Sequence, residues 1–283
     1  MKLEFIVNND GIRLSEELKT HVSRKLYKHI KGYNCPIYLN GEETKTFVLV
    51  KKGDIITIHY NKENEINWEL YESKLDVRYE DDNYLVVFKR TGLLSIPTKG
   101  NPKSLYQEVL YYLKENNNEL NVSILNRLDK DTEGLVLIAK NTYAASLLQP
   151  THEHITRKYL AYCHGIFDKK EDRIILNIKK DGDNYKRIIA SDGKESITNY
   201  KVLKEIDGNS LVEFILETGR THQIRLTSSY LNHPLFGDVI YGNDDIDKLH
   251  LTSYYLSFIN PFTKEEIKIV EDKPTWYLIH KLQ

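Results

Sequence analysis

Between Asn126 and Lys140 the chain runs from Asn-Arg-Leu-Asp-Lys-Asp-Thr-Glu-Gly straight into Leu-Val-Leu-Ile-Ala-Lys. The charged first half, Arg127 to Gly134, has turn-forming chemistry. The second half, Leu135–Ala139 closed by Lys140, has the length and texture of a buried strand rather than a helix. An aspartate on the lip of a buried strand is held in place, and Arg127 lies close to it in the chain. A fixed carboxylate can serve as nucleophile or base, which a freely moving surface carboxylate usually cannot. Taken alone, Asp129 reads as a turn cap. Other segments change that reading.

A chain of 283 residues buries a proper core and accommodates one or two domains. No apolar run approaches the roughly 18 residues of a membrane span, and the N-terminus lacks a signal-peptide pattern. Cys35 and Cys163 stand far apart, outside any CxxC arrangement, so neither a disulfide framework nor a zinc site is indicated. The cytoplasm is the expected compartment. A net charge of −1 means that any basic face must be local.

Residues 1–60 hold such a face. They carry ten Lys and Arg against seven Asp and Glu. Lys19, Arg24, Lys25, Lys28 and Lys31 follow one another with no acid among them. Leu14, Leu18, Val22 and Leu26 recur every four residues, which predicts an apolar stripe on one or two helices. Pro36-Ile-Tyr-Leu, the turn Asn40-Gly41, the run Thr46–Val50, the turn Lys52-Gly53-Asp54 and the strand Ile55–Tyr60 then read as a small hairpin unit. By charge alone the basic stretch could equally be a solvated helix face. The pieces Ser23-Arg24-Lys25 through Lys31, Ile37–Gly41 and Val50–Ile56 resemble the αL RNA-binding motif of a small-subunit ribosomal protein. That resemblance implies RNA contact through Arg24, Lys25, Lys28 and Lys31.

Residues 61–76 are polar and of mixed charge, the texture of a linker. Beyond them β-prone runs dominate: Leu75–Phe88, Leu135–Ala139, Tyr159–His164, Ile174–Ile178, Thr198–Val202, Ser210–Leu216 and Ile267–Val270. Helices are predicted over Ser104–Asn116, Thr142–Leu148 and Thr221–Leu231. With few βαβ spacings, residues 77–283 are expected to form an α+β domain on a mixed, mostly antiparallel sheet, preceded by the small α/β-hairpin module.

Three segments share one character. Asn126–Gly134 is the first. Arg157-Lys158-Tyr159-Leu160-Ala161-Tyr162 brings basic residues into an aromatic strand. Glu217-Thr-Gly-Arg-Thr-His-Gln-Ile-Arg225 turns through Gly219 into a helix with two arginines. Asp129 and Arg225 have the chemistry of an ion pair, and an opposite charge keeps a part-buried carboxylate ionised. A tyrosine face suits a flat base, and arginine stacks or binds phosphate.

These segments resemble the RluA family of pseudouridine synthases, which turn uridine in RNA into its carbon-linked isomer. Arg127-Leu128-Asp129 with Asp131-Thr132 and Gly134 matches the family's catalytic motif. Lys158-Tyr159 with Ala161 matches its tyrosine segment. Thr218–Arg225 with His233-Pro234 and Gly237-Asp238 matches its arginine segment, while Tyr79-Glu80-Asp81 and Lys89 with Gly92-Leu93-Leu94 match its opening strand and loop. The resemblance implies that Asp129 acts at the glycosidic bond, that Tyr159 packs on the target base, and that Arg225 pairs with Asp129. It also implies that Arg127 enters the space left by a flipped uridine, with Lys89, Arg220 and His222 as further RNA contacts. The isomerisation calls for no metal or organic cofactor. RNA is the expected partner, ribosomal before transfer RNA, with no membrane, and the protein is expected to be a monomer.

Four residues depart from the family pattern: Asn126 for histidine, Arg90 for proline, Thr227 for histidine and Asn232 for glycine. They leave open an alternative in which the chain binds or assembles RNA without catalysis. A glycosidase would need a second carboxylate across a sugar bond, and none is evident. His152 with His154, and Asp244-Asp245 with Asp247, lack the further ligands of a metal site.

Overall fold

The computed structural model describes residues 2–22, 26–27, 30–31, 35–59, 70–98, 103–116, 122–148, 155–182, 184–242, 244, 248–272 and 274–277. Arg24, Lys25 and Lys28, most of the 61–76 segment, His152 and His154, and Asp245 and Asp247 lie outside them.

At the N-terminus, strands β1 (Lys2–Ile6), β2 (Ile12–Arg13), β3 (Ile37–Leu39), β4 (Glu42–Glu43), β5 (Leu49–Val50) and β6 (Ile55–His59) accompany the helix Leu14–His21. Four of them form a sheet in the order β1-β6-β3-β4, and β2 pairs with β5. Leu14, Leu18, Leu26, Ile56 and Ile58 are fully or nearly fully buried in a core of this unit. The four-residue spacing thus marks a real apolar face. Asn40 at φ 51° and Gly41 at φ 87° close the β3–β4 hairpin, as the Asn-Gly pair predicts. Tyr143, on the helix Thr142–Leu148, packs edge-on against Phe5, with ring centroids 5.8 Å apart.

The remaining strands are β7 (Val77–Glu80), β8 (Tyr84–Lys89), β9 (Ser123–Ile124), β10 (Glu133–Ala139), β11 (Ile155–Cys163), β12 (Glu171–Lys180), β13 (Arg187–Ile189), β14 (Lys194–Ile206), β15 (Asn209–Leu216), β16 (Leu251–Ile259) and β17 (Glu266–Val270). They build one sheet in the order β13-β12-β14-β15-β11-β16-β10-β8-β7, with β17 on β16 and β9 on β10. Among the described strands of this sheet β10–β16 is the one parallel pair, through Glu133↔Thr252 and Gly134↔Ser253, and the other pairs are antiparallel. The expected mixed, mostly antiparallel sheet is what forms.

The unbroken apolar run of β10 has a direct cause. All seven of its residues are buried. Val136 and Ile138 face the core beneath the helix Leu105–Glu115, whereas Leu135, Leu137 and Ala139 face the one beneath the helix Thr142–Leu148. The latter helix starts where Asn141 Oδ1 accepts the Ala144 amide at 2.8 Å, a side-chain cap on an otherwise unpaired N–H. β16, central in the sheet, was not among the predicted strands. Its first residues include Thr252 and Ser253, both wholly buried, so it shows no clean apolar run.

Candidate active site

Asp129 lies in the loop that leads into β10. The loop is clamped at each step. Asn126 is nearly fully buried and donates to Leu135 O (3.1 Å) while accepting the Leu137 amide (2.6 Å). Ser95 Oγ donates to Leu128 O (2.7 Å) and accepts its amide (3.0 Å). Lys89 Nζ donates to Lys130 O (3.0 Å), and Thr91 Oγ1 to Asp131 O (2.8 Å). Thr132 N closes the turn onto Asp129 O at 3.2 Å. Gly134 ends the loop at φ 122°, where an added Cβ would sit 2.3 Å from Ser253 O, so only glycine lets β10 and β16 approach.

Within this frame the half-buried Asp129 carboxylate makes no hydrogen bond or ion pair among the described residues. Its charge nevertheless reaches Lys89, Tyr159, His222 and Arg225, which come from three separate stretches of chain. Arg127, two residues earlier, is exposed.

Tyr159 lies on β11, 5% exposed, directly across from Ser253 of β16. Burial pushes its hydroxyl pKa up, with the Arg157 charge opposing that shift and Asp129 adding to it. Opposite it, β16 carries an extra residue, Tyr254, between the partners of Lys158 and Tyr159. Such a bulge re-aims side chains locally.

Arg225 departs from expectation. Its partner is Asp238 rather than Asp129: Nε donates to Oδ2 at 2.8 Å and Nη2 to Oδ1 at 2.6 Å. Asp238 is fully buried and also takes the Ile240 and Tyr241 amides, each at 3.0 Å, so its carboxylate is fixed before the arginine arrives. Burial pulls Arg225 towards neutrality, but Asp238 and then Asp129 outweigh it and hold the guanidinium charged. The guanidinium also lies 5.5 Å above the Tyr241 ring.

His222 adopts a left-handed backbone (φ 58°) at the start of the helix Gln223–Tyr230. Its Nδ1 is 3.0 Å from Tyr241 Oη, and burial lowers its pKa against the opposing pull of Asp129. Arg220 is exposed, with Nε on Glu195 O at 2.8 Å. Gln223 pins this turn, accepting the Arg220 amide and donating to Ile197 O on β14.

Lys89, expected among the RNA contacts, is placed otherwise. It is wholly buried, and its Nζ donates to Arg90 O, Leu93 O and Lys130 O at 2.8–3.0 Å. With its three donors taken up inside the protein, it positions the Asp129 loop rather than reaching a phosphate. Burial brings its pKa down to about 7 against the pull of Asp129, Asp131 and Glu133. Lys31 is exposed. Asp238, Arg157 and Tyr241 carry no site role in the sequence reading; the first two lie within or beside the segments singled out there, whereas Tyr241 has no local signal. Among the described residues no cluster of three metal-ligating side chains forms, and no helix is long and apolar enough to cross a membrane.

Residues 83–230 match the family described as RNA pseudouridylate synthase. The RNA pseudouridine synthase YjbO of Bacillus subtilis is 33% identical over 254 residues, 87% of this chain and 90% of its own. The ribosomal large subunit pseudouridine synthase D of Vibrio vulnificus is 32% identical over 80% of this chain and 75% of its own. Among solved structures, human RNA pseudouridylate synthase domain containing 4 shares the fold with a TM-score of 0.61 at 21% identity, covering 73% of this chain and 91% of that one. Human RNA pseudouridylate synthase domain containing 1 does so at 0.59 and 24%, covering 71% and 84%. The chain therefore belongs to the RluA family of RNA pseudouridine synthases, isomerases that act on RNA.

Proposed function

We propose that this protein isomerises specific uridines of structured ribosomal RNA, acting in the cytoplasm as a monomer, with Asp129 as the catalytic group. One observation carries the reading: a carboxylate whose loop is clamped by hydrogen bonds on either side, yet whose oxygens have no partner among the described residues, lies within electrostatic reach of Tyr159, His222 and Arg225. A structural aspartate would have its oxygens occupied, as Asp238 does. Five relatives named ribosomal large subunit pseudouridine synthase D support ribosomal RNA as the substrate.

In this reading the target nucleotide leaves its stack, because a base inside a helix cannot reach the pocket. The exposed Arg127 fills the vacated space, and Tyr159 packs against the flipped base. Asp129 acts at the glycosidic bond so that uracil detaches, turns and rejoins the ribose through carbon 5. Asp238 holds the Arg225 guanidinium in place and charged, within electrostatic reach of Asp129. Arg220 and His222, together with the basic N-terminal module through Arg24, Lys25, Lys28 and Lys31, bind the RNA around the target. No cofactor enters this scheme.

Asp129→Asn tests it. Pseudouridine mapped across ribosomal and transfer RNA of a strain carrying only this variant should be missing at one or a few ribosomal positions, and the purified variant should be inactive on unmodified RNA. Loss confined to transfer RNA would move the substrate. A complete set of modifications together with normal activity in vitro would end the assignment of Asp129.

A further inference from the structure

Arg157 has no part in the account above, yet its setting is unusual. It lies on β11 two residues before Tyr159, and side chains two apart on a strand share a face. It is 4% exposed, and its Nε is buried with no hydrogen-bond partner. Among the described residues no carboxylate forms an ion pair with it. Its Nη1 rests at the turn before Arg220, 3.6 Å from where a Cβ on Gly219 would sit. That turn leads directly to His222, which senses Asp129. The Arg157 charge also acts on Tyr159 in opposition to that of Asp129.

A buried cation without a partner is costly to keep. A group of this kind calls for an explanation, and a counter-charge that arrives only during function is one. Arg225, by contrast, already has its counter-charge in Asp238, and Arg127 and Arg220 are exposed and suited to phosphates.

We propose that Arg157 is a further catalytic residue, whose guanidinium receives the negative charge that develops on the uracil ring while the base is detached. The inference rests on the reading of Asp129 as the catalytic group. When the C1′–N1 bond opens, its electron pair stays on the ring, spread over N1 and the two carbonyl oxygens. Forming the C1′–C5 bond draws a pair back from the ring, C5 releases its proton, and N1 takes one up. No oxidant or second substrate is required. A donor waiting in a buried site, without having to reorganise, is what stabilises such a transient anion. Its place beside Tyr159 puts it level with the base rather than with the RNA backbone.

The test compares Arg157→Met, Arg157→Lys and Asp129→Asn with the parent protein on a transcript of large-subunit ribosomal RNA. Single-turnover rate, RNA affinity against salt, and melting temperature are measured. For Arg157→Met the rate should fall roughly 10²–10³-fold, as when one oxyanion donor is removed. RNA affinity and its salt slope should be unchanged, and the melting temperature equal or higher, because an unpaired buried charge has gone. Arg157→Lys keeps the charge and should recover part of the rate. A lower melting temperature with an unchanged rate would show a structural residue and overturn the proposal. So would weaker binding with a salt slope reduced by about one, the mark of a phosphate contact. If Asp129→Asn is inactive while Arg157→Met turns over normally, this inference alone fails. An active Asp129→Asn would instead remove the reading beneath it.

Discussion

Replacing Asp238 with alanine removes four acceptor contacts at once. The buried Arg225 loses both of its hydrogen bonds, and the Ile240 and Tyr241 amides lose theirs. Arg225 and Asp238 side chains are 3% and 0% exposed, so neither is screened by solvent. Breaking a buried pair from one side costs about 3–5 kcal/mol, since it strands the other charge. Each orphaned amide adds about 1 kcal/mol or more. Water entering the vacated space recovers some of this, so we expect a loss of about 4 kcal/mol, or roughly 8–16 °C in Tm for a chain of this size. Arg225→Met should cost less, because it leaves a carboxylate still served by two amides. In the double variant the stranded charge is gone, so the two losses should fall short of additivity by about 2 kcal/mol in a double-mutant cycle. Urea unfolding of the four proteins measures this. Additive losses, or an Asp238→Ala loss below about 1 kcal/mol, would refute the view that Asp238 pre-fixes Arg225.

Two further outcomes follow from the loop. Lys89 has a folded pKa of about 7 against 10.5 for an ordinary lysine, so between those values the unfolded chain holds more protons and stability rises with pH. Relative to Lys89→Met, the parent protein should therefore gain about 2 kcal/mol between pH 7 and pH 9 in urea unfolding; a flat difference would show that Lys89 is charged across that range. Gly134→Ala places a Cβ against the Ser253 backbone at a φ of 122°, and thermal unfolding should show a loss of about 3 kcal/mol or more.

Three of the four departures from the family pattern have local explanations that the sequence alone did not offer. Asn126 pairs both of its amide groups with the backbone of β10, extending the ladder with a side chain. Arg90 forms a two-point contact with Glu108, tying the end of β8 to the helix Leu105–Glu115. Asn232 has φ 62°, a left-handed backbone that asparagine tolerates better than other side-chain-bearing residues. Thr227 is buried 3.4 Å from Thr198 Oγ1, and nothing in the structure explains why threonine is used there. None of the four is a contact of the Asp129 carboxylate.

What could be read directly were local properties. The β10 run, the helix periodicities, the Asn-Gly turn and the motif around Asp129 each depend on neighbours within a few residues, and that range is where side-chain period and turn chemistry operate. Membership of the family followed from the same short motifs. The arrangement between segments was decided only by the fold. Asp238 and Asp129 are both acids within plausible reach of Arg225, and their charges alone do not choose between them. The choice falls to Asp238 because Ile240 and Tyr241 hold its carboxylate in place, thirteen residues along the chain. Lys89 likewise looks in sequence like a basic contact for RNA. Only burial under three carbonyls from two loops makes it a clamp. β16 went unseen because its buried Thr252 and Ser253 are polar. Their partners, Glu133, Leu135 and Trp276, arrive from elsewhere in the chain. The sequence by itself determined the strands with unbroken apolar runs, the helices and turns with local signals, and which residues carry reactive groups. Which of those groups meet, and which are left free to act, is long-range pairing, and it exists only once the sheet has closed around them.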